Sequence, residues 1–251
     1  MNTPKIIAIA NHKGGVGKTT TTASVGSILA GRGYRVLAVD LDAQANLTVS
    51  LLREEPEQSI YHALTGRTDT LPILKVKDNF DLVPASLQLA MCEMELVSAI
   101  SREFLLAGLL RPVYDSYDII LIDCPPSLGL LTLNAFAVAT DIIIPLVAES
   151  LPFKGLKMIM QFFGPVRSKL NPGVPLQGIL LTRWESTRLA RNIEDRLRDE
   201  LGERVFITKI RKNISLAAAP MSAVNIVDYA PNSHGAQDYI TFTEELLTRI
   251  K

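Results

Sequence analysis

Ile6-Ile7-Ala8-Ile9-Ala10-Asn11-His12-Lys13-Gly14-Gly15-Val16-Gly17-Lys18-Thr19-Thr20 is the stretch on which the fold turns. The first five residues form an apolar run of strand length, bounded by polar residues, as a strand buried on both faces requires. From Thr19 to Gly31 the pattern changes to helical period, ending at Gly31-Arg32-Gly33, a plausible helix stop. A glycine-rich loop between a strand and a helix, closing on Gly-Lys-Thr, has the form of a phosphate-binding loop. Gly14, Gly15, Val16 and Gly17 offer successive backbone N–H groups that can converge on an anion, helped by the unpaired N–H groups at the helix start. Lys18 is placed to reach β- and γ-phosphates. Thr19 can offer its hydroxyl to Mg²⁺, and Thr20 can bond the α-phosphate.

Outward from this loop, short apolar runs recur at Val36–Val39, Phe80–Val83, Ile119–Ile122, Ile142–Val147, Ile179–Leu181 and Val205–Ile207. Helical periodicity fills most of the gaps. Residues 187–201 carry Leu189, Ile193, Leu197 and Leu201 at spacing four, and residues 236–250 carry Tyr239, Phe242, Leu246 and Leu247. Strand–helix alternation predicts an α/β fold, a doubly wound and mostly parallel sheet with helices on both faces, of the P-loop NTPase type. The length of 251 residues suits one such domain over 1–251. Residues 53–79 are polar with weak periodicity and read as an insertion with a short helix near Ile60–Leu64.

Apolar residues make up 47% of the chain and charged residues 21%, and 26 basic residues balance 26 acidic ones. Contact with nucleic acid or membrane would therefore need a local patch. Cys92 and Cys124 stand far apart without a CxxC pair, which argues against a disulfide framework or a zinc site. No apolar run reaches the roughly 18 residues of a membrane span. No signal peptide is evident, so a cytoplasmic location is expected.

Where a standard P-loop has glycine, this chain has His12, followed by a second lysine, Lys13. Lys13-Gly14-Gly15-Val16-Gly17-Lys18-Thr19-Thr20 resembles the deviant Walker A box of the ParA/MinD superfamily of ATPases. Three further segments are similar to the ParA/Soj-type partition branch: Val39-Asp40-Leu41-Asp42-Ala43-Gln44-Ala45-Asn46, Leu121-Ile122-Asp123-Cys124-Pro125-Pro126-Ser127, and Tyr229-Ala230-Pro231-Asn232-Ser233-His234-Gly235-Ala236. Departures from the pattern are Ala43 and Ala45, where the family often has proline and glycine. Ala218-Ala219-Pro220-Met221 also lacks the usual glutamate, and Ala223 and Val224 replace a glycine and a lysine.

Asp123 ends a strand run, at the edge where open α/β sheets bind ligands, and can hold a Mg²⁺-bound water. Asp40 and Asp42 end another run. The resemblance implies that Asp42 positions the attacking water and that Asp40 supports the Mg²⁺ shell. It also implies that Lys13 crosses a homodimer interface to a phosphate of the other subunit, and that Thr182-Arg183 and Ile210-Arg211 bind the adenine. Lys13, Lys18 and Asp42 are thus the expected catalytic residues, and Thr19, Asp40 and Asp123 the expected metal residues.

Between residues 183 and 212, nine basic residues face six acidic ones. On the helix within that span, Arg188, Arg191 and Arg198 are placed away from the leucine stripe. Asp195 and Asp199 share their face, with Arg191–Asp195 as an expected i,i+4 pair. The bland reading is a solvated face; the resemblance implies DNA binding without sequence preference. The reading is an ATP- and Mg²⁺-dependent partition ATPase, dimeric with ATP, nucleoid-associated in that state and stimulated by a ParB-type DNA-binding partner. The alternative is a MinD-like regulator of cell division at the membrane, which would need a basic amphipathic tail; the chain ends with only Arg249 and Lys251 as basic residues. No membrane contact is expected.

Overall fold

The computed structural model describes residues 3–149 and 152–250. Strand β1 (Lys5–Ile9) leads through the loop to α1 (Lys18–Gly31), then to β2 (Val36–Asp40), α2 (Asn46–Leu51) and α3 (Ile60–Leu64). Next come β3 (Leu74–Lys77), β4 (Phe80–Val83), α4 (Leu89–Glu95), α5 (Leu105–Leu110) and β5 (Ile119–Asp123). The chain continues with α6 (Leu130–Val138), β6 (Asp141–Val147), α7 (Pro152–Lys169), β7 (Leu176–Trp184), α8 (Arg188–Leu201) and β8 (Val205–Arg211). Three helices close it: α9 (Ile214–Ala218), α10 (Ile226–Tyr229) and α11 (His234–Arg249).

The sheet order is β3-β4-β2-β5-β1-β6-β7-β8. Every neighbouring pair is parallel except β3–β4. The expected doubly wound α/β sheet is therefore present, with alternate strand residues feeding two separate apolar layers. Ile6, Ala8, Leu37, Val39, Ile120 and Ile122 pack beneath α3 to α8. Ile7, Ile9, Val36, Ala38, Ile119 and Leu121 pack beneath α1 and α11. Helix α1 lies close on the sheet at Gly26, where an added Cβ would come within 2.6 Å of the Phe80 ring. Register places the C-terminal ends of β1, β2 and β5 side by side: Asp123 lies opposite both Ile9 and Asp40.

Four expectations need correction. Residues 53–79 hold, besides the expected helix α3, the antiparallel edge strand β3, which the polar composition hid. On α8 the buried positions are Ala190, Ile193, Glu194 and Leu197, while Leu189 is exposed. Thr187 caps α8 by accepting from the Ala190 N–H, which sets Ala190 on the inner face. Arg198 is not a free outward cation, because it donates to Glu194 and to the Val205 and Phe206 carbonyls. Arg191 and Asp195 stay exposed, and the pair expected between them is not formed.

At the far edge, β8 would present unpaired donors to solvent. The Glu245 carboxylate of α11 covers two of them, accepting from the Ile207 and Thr208 N–H groups at 2.8 Å each.

The nucleotide site at the C-terminal sheet edge

A cavity of about 870 Å³ opens where β1, β2 and β5 end, lined by the loop residues Gly14, Gly15, Gly17, Lys18, Thr19 and Thr20 and by Asp42, Pro126, Thr182 and Arg183. Gly17 takes φ +89°, a left-handed conformation that side-chain-bearing residues adopt only with strain, and its N–H leads directly into α1. Asn11 fixes the start of the loop. Its amide donates to the Pro145 carbonyl at 2.6 Å and its oxygen accepts from the Lys13 N–H at 3.1 Å. Thr182 fixes the other side, donating to the Val16 carbonyl at 2.7 Å. Val16 is buried and serves the loop through its backbone.

Lys18 is buried, and its ammonium donates to the Lys13 carbonyl at 3.2 Å. Burial lowers its pKa and the nearby Asp123 opposes that drop. A buried cation with one backbone partner and two unused protons is well suited to an incoming phosphate. Thr19 Oγ1 donates to Asp123 Oδ2 at 2.7 Å, while Asp123 Oδ1 is buried with no hydrogen-bond partner among the described residues. Burial, together with the neighbouring Asp40, pushes the Asp123 carboxyl well above the usual carboxylate range. An orphaned buried carboxylate oxygen beside a threonine hydroxyl fits a hard divalent cation that takes its other ligands from phosphate and water. Among the described residues no cluster of three or more His, Cys, Asp or Glu could hold a metal ion.

Asp40 is differently engaged. Its Oδ1 accepts from the Asp42 N–H at 3.1 Å, and its Oδ2 accepts from the Thr48 N–H and hydroxyl at 2.9 and 2.8 Å. Fully buried, its carboxyl is raised to about 6. With both oxygens committed, Asp40 ties β2 to α2 and shapes the loop that presents Asp42. Asp42 lines the cavity and accepts from the Gln44 N–H at 3.0 Å. That loop then turns through Ala45 at φ 51°, ψ 31°.

Lys13 does not line the cavity. Its ammonium is half-exposed and pairs with Glu149 at 3.0 Å. His12 packs against Gly155, where an added Cβ would lie 2.3 Å from its ring. Burial, then Lys18 and Lys13, lowers its pKa.

The expected adenine segments do reach the cavity. Arg183 sits at φ 49° where the β7–β8 register shifts, and it is exposed. Ile210 is buried and lines the wall. Arg211 also lines it, but Asp238 holds its guanidinium from two sides, at 2.9 Å from Nε and 2.6 Å from the terminal nitrogen. Sequence reasoning missed Asn11, Glu149 and Asp238. Of these only Asp238 left a signal, an acid one residue before the apolar Tyr239 in the last helix.

A phosphate loop, an orphaned carboxylate oxygen beside its threonine, and a second aspartate at the same sheet edge define a Mg²⁺-dependent P-loop ATPase. The comparisons with known proteins refine this. A family model described as "AAA domain" matches residues 4–176. The sporulation initiation inhibitor protein Soj of Bacillus subtilis is 40% identical over 247 residues, covering 96% of this chain and 98% of its own. The chromosome-partitioning ATPase Soj of Thermus thermophilus is 41% identical, covering 98% and 96%. A solved structure named as a cobyrinic acid a,c-diamide synthase from Mycobacterium smegmatis, with bound ADP and magnesium, is 34% identical, with a TM-score of 0.84 over 97% of this chain and 94% of that one. The chain belongs to the Soj/ParA family of partition ATPases.

Proposed function

We propose that this chain is an ATP-switched homodimer that binds DNA without sequence preference and drives segregation of a chromosome, plasmid or mobile element. The observation that carries this reading is the position of Lys13. It is a cation on the P-loop, yet its side chain is outside its own cavity and held at the surface by Glu149. From there it is available to a second copy. Phosphoryl transfer spreads negative charge over the γ-phosphate oxygens, and a cation supplied from the partner stabilises that charge.

In this reading Lys18 and the loop N–H groups hold the phosphates. Thr19 and Asp123 hold the Mg²⁺ through hydroxyl and carboxylate oxygens, and the ion supplies charge neutralisation at the phosphates. Asp42 orients water for in-line attack, while Asp40 keeps the Asp42 loop in place from beneath. Thr182, Arg183, Ile210 and Arg211 form the wall on the base side, where Arg211 is held too firmly by Asp238 to swing freely.

DNA contact is assigned to the 183–212 region, with a change in which residues carry it. Arg198 and Lys209 pair with Glu194, Arg211 with Asp238, and Lys212 with Glu185. Arg188 and Arg191 on α8 are exposed and form no ion pair among the described residues, so they lead the candidates. A ParB-type DNA-binding protein is the proposed stimulating partner, and the ATP-bound dimer would associate with the nucleoid in the cytoplasm. Among the described residues no helix is long and apolar enough to cross a membrane.

Light scattering tests the switch. A dimer with ATP and Mg²⁺ and a monomer without them are expected; a monomer in both conditions refutes it. A salt titration of binding to unrelated duplexes tests the DNA assignment. The ATP form should bind all sequences alike and lose affinity steeply with salt, with a slope of about 0.9 per phosphate contact. Replacing Arg188 and Arg191 by glutamate should flatten that slope without changing ATP affinity.

A further inference from the structure

Helix α4 leaves large apolar side chains uncovered. On a surface helix the outward positions are ordinarily polar. Both acids of α4 are already engaged, Glu93 half-buried and Glu95 exposed. Glu93 accepts from the Leu131 N–H at the start of α6, and Glu95 accepts from the Tyr61 hydroxyl at 2.7 Å and from Arg67 at 2.9 Å. Leu89, Cys92 and Leu96 fill the inner face. The outer face carries Leu87, Met91 and Met94, exposed by 75%, 52% and 79% of their surface, with the small Ala90 between them. Val97 and Ile100 continue the exposed apolar strip past the helix end.

This strip borders the nucleotide cavity. Helix α4 follows β4 at the same sheet edge, and Glu93 holds it against the segment that follows Asp123. On the other side, Val49 of α2 is exposed and lines both the nucleotide cavity and an adjoining groove that contains Leu87. Exposed apolar side chains therefore lie from the cavity mouth, at Val49 and Leu87, to Met91 and Met94, although Arg53, Glu54 and Glu55 also line the groove between Val49 and Leu87. A cluster of large exposed apolar side chains marks an interaction site, and methionine is enriched in interface cores because it adapts its shape.

We infer that the outer face of α4, with Leu87, Met91 and Met94 at its centre, is buried against a second copy of this chain when the two nucleotide cavities meet. The inference rests on the dimer reading above and adds the contact that makes the dimer hold. The phosphate loop, Lys13 and the Asp42 loop are polar, whereas a stable homodimer interface has a largely apolar core. The α4 strip supplies that core on the same edge, and the exposed Glu95 beside it is held by Tyr61 and Arg67.

The test uses the whole chain with Mg²⁺ and a non-hydrolysable ATP analogue. Met91→Glu with Met94→Glu should leave the apo melting temperature and the analogue affinity of the monomer, measured at protein concentrations too low for dimerisation, unchanged, because neither side chain packs in the core. Dimerisation measured by light scattering should weaken by about a hundredfold or more, since two charges per subunit would enter a dry contact. Met91→Leu with Met94→Leu should dimerise like the wild type. A second measurement reads the contact directly. Cys92 and Cys124 are buried, so Met94→Cys provides the reactive thiol. Its maleimide labelling should slow about tenfold or more with the analogue, the more so at higher protein concentration. A wild type that dimerises while the glutamate variant dimerises equally well, with undiminished labelling, overturns the inference and assigns the strip to a different partner. A wild type that stays monomeric overturns the dimer reading itself.

Discussion

Ala45→Gly should make the protein more stable, against the usual direction of that substitution. Ala45 caps α2 from the left-handed region, at φ 51° and ψ 31°. An L-residue with a Cβ pays about 1–2 kcal/mol there, and glycine does not. Against this, glycine gains unfolded-chain entropy worth about 0.5–1 kcal/mol. The difference favours glycine by about 0.5–1 kcal/mol. At this chain length each kcal/mol moves the melting temperature by about 2–4 °C, so the rise should be about 1–4 °C. Ala223 repeats the situation at φ 48°, ψ 43°, and Ala223→Gly should behave alike. The control is Ala90→Gly on the exposed face of α4, where the backbone is helical and glycine should cost about 1 kcal/mol. The assay is thermal unfolding of the nucleotide-free protein followed by circular dichroism. One substitution should give opposite signs according to the sign of φ. Destabilisation by Ala45→Gly equal to that of Ala90→Gly would refute the argument.

Lys18→Ala should lower ATP affinity by at least about tenfold, the loss of one charge-assisted bond, with the melting temperature held; calorimetric titration showing unchanged affinity would refute the phosphate loop. Asp42→Ala should bind ATP and stay dimeric but hydrolyse it about a hundredfold or more slowly, and Lys13→Ala should bind ATP yet hydrolyse it poorly, as single-turnover assays would show. Asp40 adds a pH signature. Its proton is held more tightly folded, at about 6, than unfolded, near 4. That contribution to stability is therefore full below about pH 4 and is lost as pH rises to about 6. The melting temperature of the wild type minus that of Asp40→Asn should fall across this window and level off above it; a flat difference would refute the shift.

Much of the site was legible because its parts lie close together in sequence. The loop 13–20 carries glycines, lysine and threonine within one turn, so local geometry alone brings them to one phosphate. Asp123 was legible because a strand run delivers its last residue to the sheet edge. What stayed hidden depends on contacts across the chain. Glu149 meets Lys13 across 136 residues, and Asp238 meets Arg211 across 27. Neither has a periodicity that announces it. Asp40 shows the limit differently. Its place beside Asp123 follows from strand pattern, but whether its oxygens remain open is decided by Thr48 on a helix after the loop. Strand β3 was missed because Leu74-Lys75-Val76-Lys77 is short and half polar, as edge strands tend to be. The left-handed turns at Ala45 and Ala223 were marked in sequence only as places where the family has glycine. The structure supplies the reason: each needs a positive φ.

The Glu245 carboxylate over the end strand has a consequence for crowding. At high local concentration the copies of any protein collide constantly. A bare strand edge would then be a template, and neighbours would add to it by backbone pairing that no nucleotide could undo. Glu245 covers the Ile207 and Thr208 donors at one margin of the sheet. At the other, β3 is four residues long and carries Lys75 and Lys77. With both margins blunted against strand addition, contacts between copies are left to side-chain surfaces such as those around the cavity.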